Sequence, residues 1–401
     1  MAIATVDPNT GNTIRTFQPH TDAQLEEKLA RAVVGARLQR ELPIAERAKR
    51  MARAAEILHV RREELGRLMT LEMGKLKNAA LAEVDKCALG CRYYADHGAA
   101  FMADEPVKTD AARSMIRYQP LGVVLAVMPW NFPLWQVFRF AAPGLVAGNA
   151  AVLKHASNVP QCALAIEDVF RAAGFPDGAF QTLLIEGSRA SKLLDDPRIA
   201  AKRFIVHERI YDDYAQRMAR RMSELHVGDP NDESTEVGPL SSKQVLDDLD
   251  DQVKRMVAKG SKVLAGGKRL DRPGFFFQPT LLTDAGPGTP GRDEEIFGPV
   301  ATLFKVRDAG EALQLANATK FGLGSAAWTR DADEVRRFTD ELQAGQVFIN
   351  GMVKSDPRLP FGGVKASGHG RELSAIGMRE FVNWKTVWIG EGGEQAFSGT
   401  E

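Results

Sequence analysis

Three stretches decide the fold: Gly122-Val123-Val124-Leu125-Ala126-Val127, Ala150-Ala151-Val152-Leu153 and Phe180-Gln181-Thr182-Leu183-Leu184-Ile185. Each is a short apolar run of the kind that forms a strand covered on both faces. A helix-forming stretch near Leu134 to Gly148 separates the first two, and Pro160 to Ala173 separates the second and third. A further helix is expected after Ile185. Strand and helix alternating at this spacing predict a parallel, doubly wound sheet, which collects ligands at the carboxyl ends of its strands.

Toward the N-terminus the pattern is helical. Thr21-Asp22-Ala23-Gln24 has the form of a capping box, and Leu25, Leu29, Ala32, Val33 and Ala36 follow at helical spacing. Helical patterns continue through about Met102, with Pro43 and Gly74 as breaks, giving a helical layer ahead of the sheet. Toward the C-terminus a second α/β region is expected. Arg203 to Val206 reads as a strand, Tyr211 to Leu225 as a helix with Tyr211, Tyr214, Met218 and Met222 on one face, and Ser241 to Lys259 as a helix led by Val245, Leu249 and Val253. Strands follow at Val300 to Phe304, Gly345 to Ile349 and Val382 to Ile389, and the tail from Glu391 is small and polar, as disordered tails are.

The 401 residues are enough for two or three domains, and 52 basic residues balance 52 acidic ones. Nothing in that balance favours nucleic acid or an anionic membrane. No signal-peptide pattern or apolar run of transmembrane length occurs, and three cysteines with neither disulfide nor metal spacing fit a reducing, cytoplasmic setting.

Gly286-Pro287-Gly288-Thr289-Pro290-Gly291 matches the dinucleotide glycine pattern letter for letter. It is set aside as a loop, because no strand is expected immediately before it and its two prolines oppose a helix. Pro129-Trp130-Asn131-Phe132-Pro133 is better placed, directly after the first strand of the sheet. The Asn131 amide there can donate to an oxyanion, or the segment can be a proline-bounded turn on an aromatic core.

Pro129 to Pro133 resembles the oxyanion-site motif of aldehyde dehydrogenases. Thr70-Leu71-Glu72-Met73-Gly74-Lys75, Glu295-Ile296-Phe297-Gly298-Pro299-Val300 and Pro360-Phe361-Gly362-Gly363-Val364-Lys365 through Gly370-Arg371-Glu372 resemble signatures of the same family, in the same order. Within the family, Asn350 to Gly363 is most similar to bacterial succinate-semialdehyde dehydrogenases. The resemblance implies a Rossmann-like cofactor domain at 1–112 and 122–201, a catalytic α/β domain at 202–372 and oligomerisation strands at 113–121 and 380–390. It also implies a small-molecule aldehyde substrate and a homo-oligomer.

The resemblance further assigns roles. It makes Asn131 the oxyanion donor and puts NADP or NAD on Pro129, Trp130, Asn131, Lys154, His155, Ala156, Ser157, Glu295 and Phe297. Lys154 falls on the adenosine ribose, and Glu295 and Phe297 on the nicotinamide ribose and ring. Many NAD-preferring relatives carry a glutamate where Ser157 stands, so serine implies tolerance of a 2′-phosphate. Arg139 matches an arginine that binds the substrate carboxylate, a role suited to its planar fork; read alone, it is equally a solvated helix arginine.

One departure dominates. Asp195-Asp196-Pro197-Arg198-Ile199-Ala200-Ala201 runs straight into Lys202-Arg203-Phe204-Ile205-Val206, where relatives carry an intervening segment with the nucleophilic cysteine, the water-activating glutamate of a Glu-Leu-Gly-Gly motif and a Gly-Ser turn bordering the cofactor. On the order of fifty residues are missing, more than one βαβ unit. Ile199-Ala200-Ala201 occurs once where relatives have two similar copies, as a deletion between short repeats would leave. Interior sheet edges are then expected to be exposed. Cys162 lies at a helix start where the dipole favours a thiolate, but it reads better as a small buried side chain, as do Cys87 and Cys91. The resulting expectation is near-total loss of dehydrogenase activity in this chain, with nucleotide binding or subunit assembly as the alternative role.

Overall fold

The strand Ala150–His155 is buried at all six positions. It lies between parallel neighbours Val123–Met128 and Phe180–Thr182 in a three-stranded sheet. These positions come from a computed structural model, which describes residues 3–185 and 203–390. Side chains alternate across the sheet. Ala126, Ala151 and Leu153 join the main core with the helices Trp135–Ala147 and Pro160–Ala172, while Val152 packs with Ala32 of the helix Asp22–Glu41. Helices therefore cover both faces, which is the doubly wound arrangement.

The outer strand is less covered than its apolar run alone predicts, in the direction expected from the missing segment. Val123 and Leu125 are 37% and 47% exposed, and Val123–Met128 pairs only with Ala150–His155 among the described strands. The third strand is also shorter than its apolar run, ending at Thr182. The helix expected after Ile185, the join at Ala201 and Lys202, and the tail from Glu391 lie outside the described residues.

The helical layer consists of Asp22–Glu41, Ile44–Val60, Arg62–Met73 and Lys77–Phe101. Its first helix opens with the Thr21–Gln24 capping box, Pro43 is the N-cap of the second, and Gly74 ends the third in a left-handed conformation, φ 71°. Gly35 is required by proximity: a Cβ there would lie 2.4 Å from the backbone of Gly178. The layer also closes the C-terminal end of Trp135–Ala147, where Arg47 Nε donates to Val146 O at 2.8 Å and Gln39 Nε2 to Leu145 O at 3.2 Å. Burial lowers the Arg47 pKa to about 10. An unanticipated hairpin, Ile3–Val6 with Thr13–Phe17, packs beside the layer.

In the second α/β region the strands order as Arg203–His207, Val300–Val306, Thr280–Thr283 and Lys262–Ala265, the first three parallel. Ser325–Ala327 and Val347–Ile349 form a separate parallel pair. The helix Glu208–Glu224 buries Tyr211 and Ala215 with Met218 and Met222 against them, but Tyr214 turns outward at 37% exposure. Lys243–Ala258 buries Leu246, Leu249, Val253 and Met256. The glycine hexad follows the strand Thr280–Thr283 by two residues and runs into a one-turn helix, Pro290–Asp293, whose first position is Pro290. Its context is thus closer to strand-turn-helix than expected, since proline is tolerated at a helix's first position. The final strand, Val382–Ile389, pairs antiparallel with Arg113–Pro120 along its whole length.

Candidate functional site

Two loops leave the carboxyl ends of the first two sheet strands: Pro129–Pro133 and Ala156–Val159. A buried histidine ties them together. Ala156 N donates to His155 Nδ1 at 2.9 Å, so Nε2 carries the proton and donates to Pro133 O at 2.8 Å. Burial depresses the His155 pKa to about 4, which keeps the ring neutral and the donor in place. His155 is therefore turned inward as a tie between loops.

Each loop runs into a helix whose first free amides are satisfied by a buried carboxylate from the helical layer. Glu83 Oε1 accepts from Leu134 N and Trp135 N, both at 2.9 Å, and its other oxygen pairs with Lys75. Glu72 accepts from Gln161 N at 3.0 Å, Cys162 N at 2.9 Å and Thr5 Oγ1 at 2.6 Å. These anions sit where the helix dipole favours them. Burial nevertheless pushes the Glu72 carboxyl above its usual range, against the pull of its hydrogen bonds. Lys75 Nζ also lies 3.8 Å over the Phe132 ring. Gln136 Nε2 donates to Asn131 Oδ1 at 2.8 Å, fixing the amide so that its Nδ2 hydrogens remain available.

Lys154 is different in kind. Its register opposite Val127 puts it on the sheet face of Val152 and Leu125, at the strand's last turn before the loop. It is 7% exposed, burial lowers its pKa, and no acidic group pairs with its ammonium among the described residues. Ser157 follows in the loop, anchored by Ala4 N to its carbonyl at 3.2 Å, beside a crevice lined by Ile3, Thr182, Leu184 and Ile185. A buried cation without a counterion is costly unless an anion completes it, so the residues present fit a phosphorylated ligand.

The second α/β region reaches the first loop through aromatic contact: Trp130 and Phe297 meet edge to face at 4.8 Å. Glu295 is half-buried two residues earlier, its carbonyl accepting from Gln252 Nε2 at 2.8 Å. Arg139 is not solvated. Its side chain is 15% exposed, pairs with Glu372 at 2.5 Å and stacks on Phe361 at 4.7 Å. Pro129 is exposed and Ala156 half-buried. The structure thus gathers Trp130, Asn131 and Phe297 at one place and Lys154 with Ser157 at another, and it leaves Arg139 engaged by a partner that sequence reasoning did not pair with it.

None of the three cysteines is exposed. Burial pushes all three thiols upward, and Glu72 beside Cys162 pushes it further. The helix-start argument for a Cys162 thiolate fails because Glu72 already holds that terminus.

Sheet order, two-sided helical cover and ligand-ready loops at the strand ends define an α/β protein of the doubly wound class. The chain belongs to the aldehyde dehydrogenase family, whose profile matches residues 1–201 and again 198–387. The two matches share Arg198-Ile199-Ala200-Ala201. It is 47% identical to a probable succinate-semialdehyde dehydrogenase [NADP(+)] of Synechocystis sp. over 453 residues, covering 97% of this chain and all of that one. A succinate-semialdehyde dehydrogenase [NADP(+)] 1 of Mycobacterium tuberculosis is equally similar, 47% over 456 residues with the same coverage. The crystal structure of succinic semialdehyde dehydrogenase from Streptococcus pyogenes with NADP+ superposes with a TM-score of 0.92 at 32% identity, covering 97% of this chain and 100% of that one. An alignment of 453 positions that uses 97% of 401 residues leaves roughly sixty positions of the Synechocystis relative facing no residue here.

Proposed function

We propose that this chain derives from an NADP-dependent dehydrogenase that oxidises succinate semialdehyde to succinate, that it keeps the nucleotide pocket, and that it has lost the chemistry. The observation that carries the reading is a buried Lys154 with no acidic partner among the described residues, together with the burial of all three cysteines, Cys87, Cys91 and Cys162. Lys154 and Ser157 would hold the adenosine ribose and its 2′-phosphate, and Trp130, Glu295 and Phe297 would border the nicotinamide end. The dinucleotide, when bound, supplies a hydride acceptor. Asn131 would present its Nδ2 hydrogens to a developing oxyanion, and Arg139, held by Glu372 and Phe361, would meet a substrate carboxylate with its remaining donors. What is wanting is the attacking group. Loss of a nucleophile alone costs about six orders of magnitude in comparable multi-residue sites.

The test is turnover by the purified chain, its intact mass confirmed, with succinate semialdehyde and either NADP or NAD. The expected result is no reduced nicotinamide above background. Robust turnover that a thiol alkylator abolishes would sink the reading.

A second role, assembly with other subunits, is favoured by one observation. Trp384 and Trp388 on Val382–Ile389 are each 57% exposed, an unusual display of indole. Sedimentation of the chain alone and mixed with an intact relative tests it. A monomer in both conditions excludes it.

A further inference from the structure

Arg139 has a second cation for a neighbour. Lys86, on the helix Lys77–Phe101, is half-buried, lies 4.7 Å over the Trp135 ring and donates to Ser355 Oγ at 2.5 Å. Trp135 Nε1 donates to the same oxygen at 3.1 Å. With both lone pairs taken, the Ser355 hydroxyl has its hydrogen left to give. Trp135 and Arg139 stand one turn apart on Trp135–Ala147, so Lys86 and Arg139 belong to neighbouring turns of one helix face. Burial first and the Arg139 guanidinium second hold the Lys86 ammonium below the ordinary lysine range, against the pull of Cys87, Glu83 and Asp356. The carboxylates nearby are already committed: Glu83 to Lys75 and two helix amides, Asp356 to Arg358 at 2.7 Å, and Glu372 to Arg139. Two cations against Glu372 leave one positive charge, which an incoming anion relieves.

Resting on the succinate semialdehyde reading above, we propose that Lys86 is the specificity-determining cation of this chain: its ammonium, with the Ser355 hydroxyl, supplies the charge that selects a carboxylate-bearing aldehyde, while Arg139 only directs the carboxylate. The two cations differ in what they have left to offer. A guanidinium paired with Glu372 and stacked on Phe361 gives hydrogen bonds in a fixed direction, its charge already balanced. The ammonium on its flexible stem brings net charge. An uncharged aldehyde of the same length leaves Lys86 and Ser355 facing no acceptor, and a site discriminates most strongly by what the wrong ligand leaves unpaired.

The probes are 4-hydroxybutyrate, the unreactive alcohol counterpart of succinate semialdehyde, and its uncharged amide, titrated into the full chain and followed by ligand-observed NMR. The carboxylate is expected to bind about tenfold or more tighter than the amide, the size of a hydrogen-bonded charge pair. Lys86→Met, with thermal unfolding recorded to confirm that it folds, is expected to shrink that preference below about threefold while the amide binds as before. Exchanging the ion pair for a neutral one, Arg139→Gln with Glu372→Gln, is expected to keep most of it. An unchanged preference in Lys86→Met, equal weakening of both probes there, or loss of the preference in the Arg139 and Glu372 double variant overturns the inference and leaves the substrate reading standing. No preference for the carboxylate in the unaltered chain removes the substrate reading itself.

Discussion

Val123–Met128 and Ala150–His155 are adjacent strands of equal length and similar apolar content, yet the second is buried throughout while the first exposes Val123 and Leu125 at 37% and 47%. The difference is not in the strands. Ala150–His155 has a paired neighbour on each side, and Val123–Met128 has one. A single paired neighbour does not decide burial by itself, since Phe180–Thr182 also has only one among the described strands and is buried throughout; the helices Asp22–Glu41 and Pro160–Ala172 pack on it. Both strands lead into helices braced by a carboxylate, Glu83 for the first and Glu72 for the second, so the contrast lies in cover alone.

The strongest way to break this asymmetry is to fill it. Inserting at the Ala201/Lys202 join the roughly sixty Synechocystis positions that face no residue here is expected to raise turnover of succinate semialdehyde by about four orders of magnitude or more. Steady-state rates with NADP measure it, and an inserted, folded chain that stays silent would show that something other than the missing stretch disables the site. Next in size, truncation should read the two sides differently. Leu153→Ala, on a fully buried side chain, should cost about 3 to 5 kcal/mol in denaturant unfolding, whereas Leu125→Ala should cost less than about 1 kcal/mol. Equal losses would mean that the edge is covered in solution.

The third prediction concerns the tie between the loops. The folded His155 pKa of about 4 lies below the ordinary value of 6.5, so the unfolded chain binds the proton more readily and stability falls as pH drops from about 6.5 toward 4. His155→Gln should flatten that decline by on the order of 2 kcal/mol, measured as unfolding free energy at pH 7 and pH 4.5 for both proteins. An unaltered slope would remove His155 from the account. The smallest effect is at the edge itself: Leu125→Lys should leave unfolding unchanged within about 0.5 kcal/mol while reducing self-association at high concentration, seen by light scattering.

Most of the sheet region was legible because its signals are local. The capping box at Thr21, the breaks at Pro43 and Gly74 and the full-length strand Val382–Ile389 each rest on neighbours in sequence. What was not legible depends on distance along the chain. Thr13–Phe17 is almost wholly exposed, so it carries no alternating pattern, and its hairpin is placed by Thr5 reaching Glu72 and Ala4 reaching Ser157. The helix break at Arg61 has neither glycine nor proline; Arg61 there pairs with Asp168 and Glu64. The motif around Glu72 was visible as a family signature, but its office as a cap for a helix ninety residues later was not. Arg139 finds Glu372 across most of the chain for the same reason.

The pairing of Arg113–Pro120 with Val382–Ile389 carries a consequence for the order of events at the ribosome. The second strand is made long after the first, so Met115 and Tyr118, buried in the finished protein at 3% and 6% exposure, wait through the synthesis of everything between them without that cover. Contacts of such long sequence separation close late and slowly. A nascent chain stalled before Val382 would present an open ribbon edge, which makes that stage one where a holdase has much to protect.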